Sequence, residues 1–205
     1  MPHTPITAAD VLTLRRQLRR QRRQLSIQQR QQTGISIARQ LQRLSIFRQA
    51  QRIGVYLDDF GEVPTRAVIE LCFRQGKTVY LPRICTLTQQ LRFVHIHHSQ
   101  WRQRRWVRHR LGMFEPRHQR GVAVGQLQLL CMPLVAFDVN GARLGMGGGY
   151  YDRTLAHTRT KRPTRIGLAY DFQQVAPLVT QPWDQHLDYC LLAEHCLQFQ
   201  PKHAP

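Results

Sequence analysis

Acid is scarce in this chain. Its 205 residues include 12 Asp and Glu against 30 Lys and Arg, a formal net charge of +18. Lysine is scarce as well, with 3 residues against 27 arginines. Between Val11 and Leu57 there is no acid at all, yet that stretch holds 11 arginines. No window approaches the ~18 uninterrupted apolar residues of a membrane span, which excludes a transmembrane helix. Met1-Pro2-His3-Thr4-Pro5 lacks the charged-then-apolar order of a secretory signal. The five cysteines are odd in number and contain no CxxC, so they read as reduced packing thiols of a cytoplasmic protein rather than a disulfide framework. Apolar content is not short: at 42% hydrophobic residues the chain is too rich for a disordered basic tail. A chain of this length buries a proper core unaided and fits one domain over residues 1–205.

The arginines form two clusters. One is the acid-free N-terminal stretch. The other, Trp101-Arg102-Gln103-Arg104-Arg105-Trp106-Val107-Arg108-His109-Arg110, mixes arginine with tryptophan. Such patches suit phosphate-rich partners, because arginine pairs bidentately with phosphate and stacks on bases. Without a nucleic-acid module, a charge footprint alone is weak ground for a main function, and a solvated helix face explains it equally well. Ten of the 12 acids lie in two stretches, Asp58 to Glu70 and Asp138 to Glu194.

The patterning predicts an α/β protein. A helix is expected over residues 10–32, capped by Asp10 and broken at Thr33-Gly34, then a second through Ile35, Ala38, Leu41 and Leu44. Residues 10–48 thus make a basic N-terminal helical segment. Ile53 to Leu57 reads as a buried strand, Pro64 as the first helical residue before Thr65 to Gln75, and Thr78 to Leu81 as the next strand. That alternation predicts a three-layer, mostly parallel sheet flanked by helices over residues 50–196. Further strands are expected at 91–98, 126–135, 165–170 and 189–193, with an irregular loop at 111–116. His95 and His97 would share a strand face, but no other ligand stands at telling spacing, so they read as edge-strand histidines rather than a metal site.

The segment that carries chemistry is Pro133-Leu134-Val135-Ala136-Phe137-Asp138-Val139-Asn140-Gly141-Ala142-Arg143-Leu144-Gly145-Met146-Gly147-Gly148-Gly149-Tyr150-Tyr151-Asp152-Arg153. A buried strand runs into a turn at Asn140-Gly141, then four glycines in five residues, then a helix opening near Tyr150. Glycines permit positive φ and close backbone approach, so successive N–H groups can converge on an anion. The loop is not a Walker A loop, because Gly-Lys-Ser/Thr is absent, nor does it fit the dinucleotide fingerprint. Arg143 before the glycines and Asp152 after them form a charged pair suited to phosphate and metal.

Arg-Leu-Gly-x-Gly-x-Gly-Tyr-Tyr-Asp-Arg, preceded by Pro-Leu-Val-Ala-Phe-Asp-x-x-Gly, resembles the signature of the 5-formyltetrahydrofolate cyclo-ligases, also called methenyltetrahydrofolate synthetases. Weaker elements follow in the family's order: Leu14-Arg15 in the basic helix, Gly61-Glu62-Val63-Pro64-Thr65, Gly76-Lys77-Thr78-Val79-Tyr80-Leu81-Pro82, Gly112 with Glu115-Pro116, and Asp184 with Asp188. The likeness spans roughly residues 11 to 195.

The resemblance implies conversion of 5-formyltetrahydrofolate to 5,10-methenyltetrahydrofolate with ATP and magnesium, through a phosphorylated formyl group, by a cytoplasmic monomer. Carried over by motif, Arg15, Arg143, Leu144, Gly145, Met146, Gly147, Gly148, Gly149, Tyr150, Tyr151 and Asp152 would wrap the triphosphate. Of these, Arg143, Tyr151 and Asp152 would serve the chemistry, and Asp152 and Asp184 would ligate magnesium. Glu62 would accept paired hydrogen bonds from the pterin, with Tyr150 and Met113 also on the folate, and Phe114 and Trp101 as further candidates for its apolar wall. A polyglutamate tail on the folate would be attracted by arginines in residues 101–110. Two positions depart from the family: Val11 and Gly148 stand where many members carry lysine. Arg16 or Arg19 would compensate for the missing cation. The alternative is a basic RNA-binding protein on the same scaffold, and nucleic acid is otherwise a secondary partner.

Overall fold

The computed structural model describes residues 8–104, 106–117, 120–156, 158 and 163–200. Arg105 of the second arginine cluster, and the N-terminal residues weighed as a signal, lie outside these. The chain opens with α1 (Ala8–Gln24), α2 (Ile27–Arg43) and α3 (Ser45–Gln49). The alternating part follows as β1 (Arg52–Gly54), α4 (Arg66–Arg74), β2 (Thr78–Cys85) and β3 (Gln90–Ile96). After α5 (His98–Gln103) come β4 (Trp106–Arg108), β5 (Phe114–Pro116), β6 (Leu129–Met132), β7 (Ala136–Phe137) and β8 (Arg143–Leu144). The chain closes with α6 (Tyr150–Leu155), β9 (Thr164–Leu168), β10 (Tyr189–Leu191) and β11 (Cys196–Gln198).

Seven strands form one sheet in the order β11-β10-β9-β6-β1-β2-β3. The five inner strands pair in parallel, and each edge strand is antiparallel to its neighbour. Alternation along β6 shows how the two faces are filled. Leu129 and Cys131 join α2, α3 and α4 in one core with Ile37, Leu41, Phe47 and Val68. Leu130 and Met132 point the other way, into a core with Phe93, Phe137, Leu155 and Phe199. β6 is buried along its whole length, as expected of a central parallel strand.

Helix boundaries differ from the sequence reading in one instructive way. The break falls at Leu25-Ser26, and α2 runs straight through Thr33-Gly34. Ser26 accepts the Gln29 N–H through its hydroxyl while the Gln29 side chain accepts the Ser26 N–H, a complete capping box. Gly34 is a packing residue instead: a Cβ there would lie 2.5 Å from the Pro64 carbonyl oxygen. Pro64 precedes the cap residue Thr65 rather than occupying the first helical position. Residues 111–116 are not wholly irregular, because β5 pairs with β4 as a short hairpin, and β11 is an edge strand that the apolar pattern did not signal.

Strand order fixes where a ligand can sit. From β1 the chain crosses over α4 to β2 on one side; from β6 it crosses over α6 to β9 on the other. The carboxyl ends of β1 and β6 therefore flank the point where connections diverge, the usual crevice for a ligand in an open α/β sheet. The β1 end carries residues 55–65 and the β6 end carries residues 133–152. Helix α1 lies across the β6 end, with Leu14 and Leu18 packed on Val135, Ala136 and Leu144.

Candidate active site

On the β6 side the glycine loop is held open by a small set of contacts. β7 pairs with β8 around the Asn140-Gly141 turn, where Gly141 has φ +76 and its N–H reaches the Asp138 carbonyl. Asp138, fully buried, ties the turn by accepting the Asn140 and Ala142 N–H groups at 2.8 and 2.9 Å. Beyond β8, Gly147 and Gly149 take φ of +103 and +62, which an ordinary side chain rarely tolerates. Gly149 is also the residue on which α6 starts.

Arg143 and Asp152 close the loop from its two ends. Arg143 Nη2 donates to Asp152 Oδ1 at 2.7 Å, with the arginine side chain 3% exposed and the aspartate 23%. The same Oδ1 accepts the Gln185 N–H at 3.2 Å. Both recorded contacts of the carboxylate thus fall on one oxygen. The Arg143 guanidinium lies over the Tyr151 ring, 5.8 Å from its centre. Burial pushes the Tyr151 hydroxyl well up from its ordinary value, so it stays a neutral O–H across the working range. From α1, Arg15 Nε reaches the Gly145 carbonyl at 3.0 Å. Arg15, Arg143, Tyr151 and Asp152 are thus brought together around the glycines.

Gly148 has its own local reason. A Cβ there would lie 2.7 Å from the ring of Tyr150. That ring is stacked under Arg153, which also donates to the Gly148 carbonyl at 2.6 Å and to the Gln89 carbonyl at 3.1 Å. Arg153 was not singled out in the sequence, although it follows directly on Asp152.

On the β1 side, residues 58–65 form a stitched loop. Asp58 Oδ1 accepts both the Thr65 N–H at 2.9 Å and its hydroxyl at 3.0 Å. Tyr56 donates its hydroxyl to the Val63 carbonyl at 3.1 Å. Glu62 Oε2 accepts the Asp59 N–H at 3.2 Å. Burial pushes the Glu62 carboxyl up to about 7, against the Asp59 hydrogen bond and the Arg22 charge, which pull it down. Glu62 is also pinned through its carbonyl, which accepts the Tyr170 hydroxyl at 3.1 Å.

The apolar surroundings of Glu62 are partly those expected. Phe60 and Phe114 are large exposed aromatics, 37% and 49%. A Cβ on Gly112 would lie 3.3 Å from Phe60, so the segment with Met113 and Phe114 abuts the Glu62 loop. Met113 is half-buried against the second core. Trp101 is placed otherwise: it sits on α5, 5.9 Å from Trp106, against the core of the opposite face. Phe60 was not anticipated; its place directly before the Gly61-Glu62 pair was the available signal.

Asp184 caps a turn by accepting the Gln181 N–H at 2.8 Å, and its neighbour Gln185 is the residue that touches Asp152. Chain connectivity therefore brings Asp184 beside the Asp152 end of the loop. Among the described residues no three His, Cys, Asp or Glu side chains gather into a metal-binding cluster. The rings of His95, on the edge strand β3, and His97, just past its end, meet at a tilt with centres 4.4 Å apart, and among the described residues no third ligand joins them. Among the described residues no helix is long and apolar enough to cross a membrane.

The family model described as the 5-formyltetrahydrofolate cyclo-ligase family matches residues 8–193. The curated 5-formyltetrahydrofolate cyclo-ligase of Haemophilus influenzae is 37% identical over 175 residues, covering 83% of this chain and 91% of its own. That of Escherichia coli K12 is 37% identical over 170 residues, covering 82% and 91%. The Aquifex aeolicus 5,10-methenyltetrahydrofolate synthetase structure superposes with a TM-score of 0.79 at 23% identity, covering 96% of each chain, and shows the same fold.

Proposed function

The chain belongs to the 5-formyltetrahydrofolate cyclo-ligase family, and on that premise we propose how its residues divide the ATP-dependent conversion of 5-formyltetrahydrofolate to 5,10-methenyltetrahydrofolate. The observation that carries this reading is the Arg143–Asp152 ion pair closing a glycine loop onto which Arg15 is hydrogen-bonded. A formyl amide oxygen is a poor leaving group. It attacks the γ-phosphorus and the bond to ADP breaks. The second folate nitrogen then adds to the formyl carbon and loses its proton, and phosphate departs with the former formyl oxygen. Little proton chemistry is asked of the protein; it has to align two reactants and neutralise charge.

Glycines 145, 147, 148 and 149 expose backbone to the triphosphate, with Leu144 and Met146 as the intervening residues and Arg15 and Arg143 as its cations. Tyr151, a neutral hydroxyl beneath Arg143, orients that guanidinium. Asp152, through the oxygen that Arg143 and Gln185 leave unused, and Asp184 would hold magnesium. One or two carboxylates completed by phosphate oxygens and water suit that ion, and three clustered ligands are not required. When bound it supplies charge neutralisation on the phosphates. Glu62 accepts the amidine-like N–H edge of the pterin, while Phe60, Met113, Phe114 and Tyr150 line the rings. A polyglutamate tail is the finer expectation for the substrate, met by arginines of residues 102–110. The chain works as a monomer in the cytoplasm.

The test is turnover followed by the ultraviolet absorbance of methenyltetrahydrofolate. Product is expected only with ATP and magnesium together. Absence of turnover in well-folded protein, with salt-sensitive RNA binding that survives Asp152→Asn, would overturn the reading in favour of the RNA-binding alternative.

A further inference from the structure

We propose that Arg22 is a positioning residue that links the folate side of the crevice to the glycine loop, supporting the Glu62 loop with its backbone, placing its charge beside that loop and seating Met146. The inference rests on the folate role assigned above to Glu62. Arg22 is 1% exposed, although it belongs to a helix whose other arginines mostly face solvent. Its guanidinium donates from Nη1 to the Leu134 carbonyl at 3.2 Å, just past the end of β6. Nη2 points to Met146 Sδ in the glycine loop at 3.8 Å, and Nε is buried with no partner. The loop that carries Glu62 rests on the same residue: Gly61 has φ +76, and a Cβ there would lie 3.3 Å from the Arg22 carbonyl carbon, its oxygen and its Cβ. One side chain therefore touches the β6 end and the glycine loop, while its backbone supports the Glu62 loop.

The pairing is what makes this informative. The ion pairs among the described residues join Arg66 to Glu70, Arg83 to Glu115, Arg143 to Asp152 and Arg165 to Asp188. Arg22 is in none of them. A buried guanidinium with one carbonyl, one thioether and an unused donor is costly to keep unless its charge acts on something nearby. Glu62 follows Gly61, the residue that rests on the Arg22 backbone, and is the carboxylate whose ionisation the guanidinium favours against the burial that pushes it up. The other groups around Glu62 are Asp58 and Asp59 in its own loop, Tyr56 past β1, Tyr151 in α6 and Tyr170 past β9. The three tyrosines are pushed up by burial and stay neutral. That leaves two aspartates opposing ionisation of Glu62 and Arg22 as the cation favouring it. A protonated Glu62 would lose one of the two acceptors that the pterin edge needs, so Arg22, with the Asp59 N–H, lowers the pH at which folate binding fails.

The experiment measures KM for 5-formyltetrahydrofolate and for ATP across roughly pH 5.5 to 8.5. It compares wild type, Arg22→Met, Arg22→Gln, Arg22→Lys and Glu62→Gln, with thermal melts to verify folding. In wild type the folate KM is expected to rise as pH falls through about 7. Arg22→Met, and Arg22→Gln, which keeps donors but not charge, should move that limb up by roughly one pH unit, the size expected for losing a close opposite charge. At neutral pH this is roughly a fivefold rise in folate KM, from the drop in the ionised fraction of Glu62. Arg22→Lys should leave the limb in place while ATP KM rises a few-fold, because the fork to Leu134 and Met146 is lost. Glu62→Gln should abolish the limb. A limb that vanishes in Glu62→Gln yet stays unmoved in folded Arg22→Met or Arg22→Gln overturns this inference alone. A limb that persists in Glu62→Gln removes the folate role of Glu62, and wild type without turnover removes the proposed function itself.

Discussion

The two sides of the crevice treat their carboxylates in opposite ways. On the glycine-loop side Asp152 is bonded directly to a buried arginine at 2.7 Å, an ion pair made within the fold itself. On the β1 side Glu62 has an arginine near it but no ion pair, only the Asp59 N–H at 3.2 Å, and burial pushes it up to about 7. A paired carboxylate already has its counter-charge, while an unpaired, partly buried one responds to pH and to whatever binds. The division fits the placing proposed for the two ligands: a triphosphate would be met by fixed cations, and a neutral pterin edge by hydrogen bonds whose acceptor can be tuned.

The contrast breaks most sharply at Asp152. Asp152→Asn keeps an Oδ1 acceptor for Arg143 and for the Gln185 N–H but leaves the buried guanidinium without its counter-charge, so the melting temperature should fall by roughly 5–15 °C with the protein still folded at assay temperature. Turnover should fall by about 10³-fold or more, because the charge that would hold magnesium is gone. A loss of activity with an equal loss of folding would make Asp152 a structural residue and erase the difference between the two sides.

Glu62→Gln comes next and should act on one substrate. Folate KM should rise by roughly 10- to 100-fold, the equivalent of losing charge-assisted hydrogen bonds worth about 1.5–3 kcal/mol, with ATP KM within about twofold. Stability should move the other way. A folded-state value near 7, above the ordinary carboxyl value of 4.5, means the folded protein prefers the protonated group. That contribution is fully present below 4.5 and lost as pH rises through 7. Glu62→Gln should therefore be more stable than wild type at about pH 8, by roughly 1–2 kcal/mol after allowing for partial solvation, and equal to it near pH 4.5. Urea melts at the two pH values check this. Arg15→Ala is the counterpart on the phosphate side. It removes the 3.0 Å contact to the Gly145 carbonyl and should raise ATP KM about tenfold, leaving folate KM nearly unchanged.

What the sequence made legible divides along the same line. The glycine loop could be read because its residues are consecutive: Arg143, four glycines, two tyrosines and Asp152 carry their spacing with them. Glu62 could be read only through the resemblance, because Gly61-Glu62-Val63-Pro64-Thr65 follows the family's order after the first strand. Arg22 could not, since it is one of 11 arginines in a stretch without acids and only its burial separates it from the rest. Gly34 misled for a related reason. Glycine in a helical pattern signals a break locally, and only the packed fold shows the Pro64 carbonyl 2.5 Å from where a Cβ would stand. Gly34→Ala should consequently cost about 1–3 kcal/mol of stability by overpacking and disturb the Glu62 loop before the glycine loop. Folate KM rising ahead of ATP KM would show that.

The smallest effect on catalysis is expected from the arginines that neither side uses. In α1 the residues turned inward are Leu14, Leu18 and Arg22, with Arg15 beside them, whereas Arg16, Arg20 and Arg23 are exposed. Spacings of four and three residues place these three on one outer face of the helix. If the crevice accounts for the inner cations only, replacing Arg16, Arg20 and Arg23 together by Gln should leave kcat and both KM values within about twofold. If that stripe holds single-stranded RNA, the same variant should lose the hold, its log–log salt slope falling by about two for three lost phosphate contacts. A tenfold rise in ATP KM would instead draw the outer face into the triphosphate site. Arg16 would then be supplying the cation that Val11 does not, and the phosphate side of the comparison would extend a full turn further along the helix.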